Sequence, residues 1–245
     1  MDFSPLLTQL PEWIGAAGLI WLLSISPQFR REPLGFKYAR RDGIMALTLG
    51  GVALVFAYTA RSFAASLPQW FSGPAAAFQT PFLTALAALL PVLAALLIRG
   101  QPPRSAGWGR AVLKNGWQAG LALALLTVFL RNRVMDLLAG ISTAEFNTLL
   151  VILATVLAEE TLFRGAIQQR LGWWLGQNRG WAITTLLFAA WRVLMLPAAP
   201  FAQTAVVFLI ALAQGGVAGW AMRRAGHVVA PALYRAVSLW LGIFA

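Results

Sequence analysis

Long apolar stretches alternate with short, mostly basic polar segments along the whole chain. A helix needs about 20 mostly apolar residues to cross a bilayer. Stretches of about this length occur at eight places, approximately residues 7–26, 44–64, 80–98, 115–131, 145–163, 181–196, 201–222 and 228–244. The pattern predicts an all-α, polytopic membrane helix bundle of eight transmembrane helices, with residues 1–245 forming a single integral membrane domain.

The polar segments between the predicted spans differ in charge. Four alternate loops hold fourteen basic residues, namely Arg30, Arg31, Lys37, Arg40, Arg41, Arg99, Arg104, Arg110, Lys114, Arg164, Arg170, Arg179, Arg223 and Arg224. The opposite loops hold only Arg61, Arg131 and Arg133. Because cytoplasmic loops carry the excess of lysine and arginine, this bias predicts that both termini lie on the outer, non-cytoplasmic face.

Two polar segments have a distinctive composition. The stretch "AIQQRLGWWLGQNRGW" (166–181) mixes basic or amide residues with bulky apolar ones, which predicts either a short helix in the cytoplasmic interface or an ordinary loop. The stretch "RGQPPRSAGWGR" (99–110) is rich in glycine and proline and is predicted to be a flexible loop. Within the spans, "GGVAGWA" (215–221) carries small residues at helical spacing, which permit close helix contact.

Composition supports a membrane protein: 59% of the 245 residues are hydrophobic and 11% are charged, against roughly 25% charged residues in soluble domains. The absence of cysteine excludes disulfides and thiolate metal sites. The formal charge of +11 lies in loops between apolar runs, so no nucleic acid partner is expected.

The first residues, "MDFSPLLTQLPEW", contain no lysine or arginine, so no cleaved secretory signal is expected and the first apolar run should remain as an anchor. The expected location is the cell inner (plasma) membrane, as a multi-pass protein in contact with the lipid bilayer.

Ionisable residues interrupt the later spans. Glu159, Glu160, Arg192 and Arg235 lie inside them, and Arg164 lies at a span end. Each such charge costs about 2.5–3.5 kcal/mol at the centre of a membrane helix. On a helix, Glu160 and Arg164 are four residues apart and can pair, whereas Glu159 points about 100° away, towards a neighbouring helix. Arg192 and Arg235 are therefore expected within about 4 Å of the two carboxylates, with no metal there.

These residues carry a family resemblance. "EETLFRGAIQQRL" resembles the first motif, Glu-Glu-x-x-x-Arg, of the CAAX-protease and bacteriocin-processing (Abi) family of intramembrane proteases. "TTLLFAAWR" resembles its second motif, Phe-x-x-x-His, with Phe188 in the phenylalanine position. "GGVAGWAMRRAGHVVAPALYRAVSL" resembles its third region, in which a histidine is followed four residues later by Asn or Asp. The resemblance covers a family-like core at residues 145–245.

The chain departs from the family at the residues that complete the site. Arg192 and Arg235 occupy the two histidine positions, and Leu239 occupies the Asn/Asp position. The resemblance implies a water activated by glutamate and two histidines, with a metal in many members. A guanidinium has no lone pair for a metal and stays protonated. The remaining histidine, His227, precedes the motif position by eight residues and is expected to be an interface residue rather than a ligand.

Three hypotheses for function follow. The first is a non-catalytic member of the family that binds or stabilises a membrane protein partner, alone or in a larger membrane complex. In it, Glu159, Glu160 and Arg164 keep the motif positions but form, with Arg192 and Arg235, a salt-bridge cluster without metal or cofactor. The second is an active intramembrane glutamate endopeptidase with a variant site, in which Glu159 activates water and an arginine stabilises the oxyanion.

The third hypothesis is a transporter, or a lipid- or small-molecule-binding membrane protein, that uses the charges as its site. A structural role is compatible with the first hypothesis, because buried ion pairs can simply fix the register of neighbouring helices.

Overall fold

The computed structural model describes residues 4–29, 34–64, 66–196 and 199–243, and within these ranges the chain is helical without strands. The α-helices are α1 (Ser4–Ile25), α2 (Ala39–Ala64), α3 (Gln79–Ile98), α4 (Leu113–Leu130), α5 (Val134–Ala139), α6 (Thr143–Glu160), α7 (Gln169–Leu175), α8 (Gln177–Leu194), α9 (Phe201–Ala225) and α10 (Val229–Ile243). A π-helical segment, Thr161–Gln168, joins α6 to α7. Short 3-10 helices occupy Pro27–Phe29, Gly73–Phe78, Pro103–Ala106 and Arg110–Val112.

A helix of 15 or more residues lies at each of the eight predicted spans. In the described part of the chain, six segments are long and apolar enough to cross a membrane, namely Leu6–Ile25, Ala39–Ala64, Gly73–Ile98, Arg110–Leu130, Thr143–Leu175 and Phe201–Ala225. The last helix, α10, is apolar but shorter, and α8 contains two arginines. The prediction of an all-α, polytopic membrane bundle is confirmed, whereas the number of spans and the orientation of the termini stay predictions.

The fifth predicted span is part of a longer helical segment. Ser142 begins it with a capping box, in which the Ser142 side chain accepts from the Glu145 N–H and the Glu145 carboxylate accepts from the Ser142 N–H. The helical path then continues from α6 through the π segment to Leu175 and ends at Gly176, whose φ is 90°. The prediction of an ordinary loop for residues 166–181 is therefore wrong. A short helix, α7, lies there, and its position in the cytoplasmic interface stays a prediction.

Arg170 is buried because protein groups accept the hydrogen bonds of its guanidinium. Its Nη1 donates to the carbonyls of Ser105, at 3.0 Å, and Ala166, at 2.9 Å, and its Nη2 donates to Gln101 Oε1 at 2.7 Å. Gln101 and Ser105, which are far from Arg170 in sequence, thus supply the acceptors that water would supply at a cytoplasmic interface.

The glycine- and proline-rich segment 99–110, predicted to be a flexible loop, contains a short 3-10 helix, and its centre is not free in solvent. Ser105, Ala106 and Gly107 are buried. The Gly107 carbonyl accepts a hydrogen bond from the Val228 N–H at 3.1 Å. This segment therefore packs between the π segment and the turn that joins α9 to α10.

The π segment lies at the centre of the bundle, and all eight of its residues are buried. Its apolar side chains belong to a core formed with alanines of α2 and α3 and with residues of α8 and α9. Close contact requires glycine at several positions here: a Cβ on Gly165 would overlap the carbonyl of Ala106. On α9, a Cβ on Gly215 would lie 3.1 Å from Arg164 Nη2, and one on Gly219 would lie 2.7 Å from Gln168 Oε1. The small residues of 215–221 thus face this segment.

Candidate functional site

Four helical elements bring the five predicted charges together. Glu159 and Glu160 end α6, and Arg164 lies one turn later in the π segment. Arg192 lies near the end of α8, and Arg235 lies in the second turn of α10. These five residues are called the charge cluster below.

Arg235 is the centre of the charge cluster because its guanidinium contacts both glutamates. Its Nη2 lies 2.8 Å from Glu159 Oε2, and its Nη1 lies 2.5 Å from Glu160 Oε1. All three side chains are buried. One cation therefore neutralises two adjacent carboxylates, and the fork of the guanidinium fixes α10 against α6.

Arg192 contacts the other carboxylate oxygen of Glu159 at a longer distance. Its Nη1 lies 3.4 Å from Glu159 Oε1, and its side chain is 32% exposed, whereas that of Arg235 is 1% exposed. Both long-range arginines thus meet the predicted 4 Å distance. Arg192 forms the open edge of the charge cluster.

Arg164 was predicted to pair with Glu160, but the contact between them is long. Its Nε lies 3.4 Å from Glu160 Oε2, which is a charge contact without a hydrogen bond. Among the described residues, none of its three side-chain nitrogens has a hydrogen-bond partner, although the side chain is fully buried. Glu160 is therefore held more closely by Arg235 on a neighbouring helix than by the arginine on its own helix.

Phe188 contacts the two buried cations of the charge cluster, Arg164 and Arg235. Its ring lies 5.1 Å from the Arg164 guanidinium carbon and 4.4 Å from that of Arg235. The edge of Phe163 packs on it, with 5.4 Å between ring centroids. The negative face of an aromatic ring attracts cations, so Phe188 stabilises arginines in a place where water is excluded.

His227 lies in the turn between α9 and α10 and is outside the charge cluster. Its side chain is buried within the protein, with 2% residue exposure, and its assignment as an interface residue rather than a ligand stays a prediction. Its Nδ1 accepts from the Val229 N–H at 3.2 Å, and its ring packs edge-on against Trp108. Burial lowers the pKa of this imidazole, because the charged form is disfavoured away from water.

A second buried ion pair was not predicted. Glu12 on α1 is 1% exposed, and its Oε2 lies 2.7 Å from Arg131 Nη2 at the end of α4. The buried hydroxyl of Tyr234 on α10 lies beside it. The signal was available, because Glu12 lies inside the predicted span 7–26 and such a residue requires a partner.

Residues 141–241 match the sequence profile described as "Rce1-like: Type II CAAX prenyl endopeptidase Rce1-like". The predicted family resemblance is confirmed. This region is called the Rce1-like domain below, after the family model that it matches. It contains all five residues of the charge cluster together with Phe188. No curated protein and no solved structure matches the chain.

The Rce1-like domain does not fit the metal that the family resemblance implies. Arginines stand at both histidine positions, and a guanidinium offers no lone pair. No group of three or more His, Cys, Asp or Glu side chains that could hold a metal occurs within the described ranges. At Leu239, where the family has a polar residue, the side chain packs against the apolar residues between α6 and α10.

The carboxylates of the Rce1-like domain are also poorly placed to act as a base. Three of the four carboxylate oxygens of Glu159 and Glu160 accept hydrogen bonds from arginine. The fourth, Glu160 Oε2, faces Arg164 and is buried. The neighbouring permanent cations stabilise the ionised form of both carboxylates, which makes them weak acceptors for a proton in general-base catalysis.

Proposed function

We propose that this chain is a non-catalytic, intramembrane-protease-like protein that binds or stabilises another membrane protein. In this proposal, the charge cluster is a former active site that now fastens α6, α8 and α10 together. The observation that carries it is the position of Arg235, which holds both motif glutamates at 2.5 and 2.8 Å where the family has a histidine.

The match of residues 141–241 to the Rce1-like family model supports the membrane-protein part of this proposal. An inactive protease scaffold retains a bundle shaped to receive a membrane segment, so its expected partner is a membrane protein or a larger membrane complex. The abundance of arginine in alternate loops supports a place in the cell inner membrane, with those loops in the cytoplasm.

One observation favours an active endopeptidase as the second candidate. Arg192 is partly exposed and contacts Glu159 at only 3.4 Å. Movement of this side chain would free Glu159 Oε1 to activate a water, and the displaced guanidinium would stand ready to stabilise an oxyanion. Arg235 would still hold the other oxygen of the same carboxylate.

The two candidates predict opposite changes in the membrane proteome. When a protease is absent, its substrate accumulates in the uncleaved form, whereas a partner that depends on a scaffold is lost. The test is quantitative membrane proteomics with mapping of protein termini in deletion cells and in cells complemented with the wild-type chain. The proposal expects loss of a partner, its recovery with the wild-type chain, and its co-purification with that chain in mild detergent.

The control is a Glu159→Gln variant that elutes as a single species. Accumulation of an uncleaved protein in deletion cells, with cleavage restored by the wild-type chain but not by Glu159→Gln, would overturn the proposal in favour of the endopeptidase. Recovery of the partner by Glu159→Gln as well as by the wild-type chain would support the scaffold.

A further inference from the structure

A pocket of about 380 Å³ opens at the end of the bundle where α7 and α8 begin and α9 ends. The pocket is separate from the charge cluster. It is lined by Leu34, Arg104, Gly109, Ala111, Val112, Gln168, Gln169, Gln177, Met222, Arg223, Arg224 and Gly226. It is called the basic pocket below. All of these residues come from the end of the bundle that the distribution of charge predicts to be cytoplasmic.

The described lining of the basic pocket contains cations without acidic partners. Arg104 is exposed, and Arg223 and Arg224 are half-buried at the end of α9. Among the described residues, no carboxylate lies within ion-pair distance of these three arginines, and the described lining contains no Asp or Glu. Arg223 Nη2 donates only to the Asn178 side chain, at 3.1 Å. Guanidinium groups concentrated in this way bind phosphate, often with two parallel hydrogen bonds.

Two glutamines that line the same pocket have side-chain oxygens without hydrogen-bond donors in the described structure. Gln168 is 4% exposed, and its Nε2 donates to the Gly219 carbonyl at 2.8 Å, which fixes the orientation of the amide. Its Oε1 has no partner in the described structure, and neither does the buried Oε1 of Gln169. Buried polar atoms are normally paired. The free acceptors indicate a ligand that donates hydrogen bonds, and the arginines indicate that the same ligand carries negative charge.

The start of α8 adds to the positive potential. Gln177, its first residue, lines the basic pocket, and its N-cap residue, Gly176, supplies no side-chain cap. The first N–H groups of a helix lack intrahelical partners and attract anions. Leu34, Val112 and Met222 provide an apolar part of the lining, which suits a ligand with a polar head and an apolar body.

We propose that the basic pocket binds the headgroup of an anionic glycerophospholipid, with the phosphodiester on the arginines and the headgroup hydroxyls on the two glutamine oxygens. Phosphatidylglycerol has this chemistry. Anionic lipids concentrate in the cytoplasmic leaflet, and basic pockets between membrane helices recognise their headgroups. The proposal does not depend on whether the charge cluster is catalytic.

The test measures binding to the full-length protein in a neutral detergent, where attraction to a charged leaflet is absent. Short-chain phosphatidylglycerol is titrated and followed by native mass spectrometry and by thermal unfolding. One lipid should bind the wild-type protein, and Arg223→Gln/Arg224→Gln should weaken its apparent affinity by about tenfold or more. Arg104→Gln, a change at an exposed position, should also weaken binding and gives a second variant that does not depend on helix packing.

The matched control is Arg40→Gln/Arg41→Gln, which removes two exposed arginines at the same end of the bundle but outside the basic pocket. An equal loss of affinity in this control would overturn the proposal, because it would show non-specific attraction. Phosphatidylmethanol, which has the phosphodiester but no headgroup hydroxyl, should bind more weakly than phosphatidylglycerol, and equal binding would overturn the role of the glutamines. Glycerol 3-phosphate that competes at concentrations comparable to the lipid would overturn the lipid in favour of a soluble phosphate ester.

Discussion

Arg235 and Glu160 lie 2.5 Å apart, Nη1 to Oε1, although they are 75 positions apart in the chain and both are buried. Removing Arg235 leaves two buried carboxylates without their principal cation. Arg235→Met should therefore lower the free energy of unfolding by about 3–5 kcal/mol. Thermal unfolding in detergent, followed by tryptophan fluorescence, measures this change.

The control for this prediction is Arg192→Met. Its side chain is partly exposed and its contact with Glu159 is longer, so the loss should be about 0–1 kcal/mol, as for surface ion pairs. An equal effect of the two substitutions would contradict the assignment of Arg235 as the centre of the charge cluster.

Restoring the two histidines should create metal affinity. If Arg192 and Arg235 occupy former ligand positions, Arg192→His/Arg235→His places two imidazoles beside Glu159 and Glu160. Two histidines and a carboxylate can hold zinc. Elemental analysis after dialysis should then find about one zinc per folded protein, which neither single variant should hold.

The matched control for the zinc prediction is Arg40→His/Arg41→His, which adds two imidazoles at exposed positions outside the charge cluster. A folded Arg192→His/Arg235→His protein that binds no more zinc than this control would show that the two positions do not face a common centre.

Gly165, the glycine of the "FRG" sequence, should tolerate no side chain. A Cβ there would overlap the backbone carbonyl of Ala106, which a rotamer change cannot move. Gly165→Ala should destabilise the protein by about 1–3 kcal/mol, the usual cost of overpacking, when measured by thermal unfolding. Gly51→Ala is the control, since a Cβ on Gly51 meets nothing within 4 Å, and it should have no destabilising effect.

The pair of Glu12 and Arg131 should respond asymmetrically to neutralisation. Arg131→Gln leaves the Glu12 carboxylate, which is 1% exposed, as an unpaired buried charge. Glu12→Gln instead leaves Arg131, whose side chain is 15% exposed and can reach water. Arg131→Gln should therefore lower the melting temperature more than Glu12→Gln. The reverse order would mean that Arg131, rather than Glu12, is the costly charge.

His227 should make stability depend on pH near neutrality. Its pKa in the folded protein is lowered by burial, whereas in the unfolded chain it is about 6.5. The unfolded state therefore binds the proton first, so stability is fully present above pH of about 6.5 and is lost as the pH falls through the folded-state pKa. Melting temperatures from pH 8 to pH 5 measure this loss.

His227→Asn is the matched variant for the pH prediction. Its side-chain oxygen can accept from the Val229 N–H as Nδ1 does, but it does not titrate. The difference between the pH profiles of the two proteins isolates the imidazole. Identical profiles would show that His227 makes no contribution to the pH dependence.

The sequence predicted the bundle and the meeting of the charges for a simple physical reason. Apolar runs of sufficient length have few alternatives to a membrane helix, and charges inside them must find partners. The same argument applied to Glu12 would have predicted its pairing as well. In contrast, the number of crossings depends on α8 and α10, whose length and composition leave it undecided.

The burial of Arg170 could not be predicted, because it depends on contacts with residues that are far away in sequence. The polar residues of 166–181 have the same composition as an interface helix, and only the acceptors in 101–105 explain the burial of Arg170. The partner of Glu160 was likewise ambiguous. A local spacing of four residues favoured Arg164, but the approach of α10 gave Arg235 the closer contact.

The π segment Thr161–Gln168 sets an angular relation between the two ends of one helical rod. The glutamates precede it, and the glutamines of the basic pocket lie at its end and just beyond. Each residue turns an α-helix by about 100°, so deleting one residue within this segment would rotate α7 relative to α6 by about a quarter turn or more. Arg164 and Gln168 would then no longer face Gly215 and Gly219 of α9 together. The π segment thus sets the rotation of α7 relative to α6. An insertion or deletion in it should be far less tolerated than one in the loop between α5 and α6.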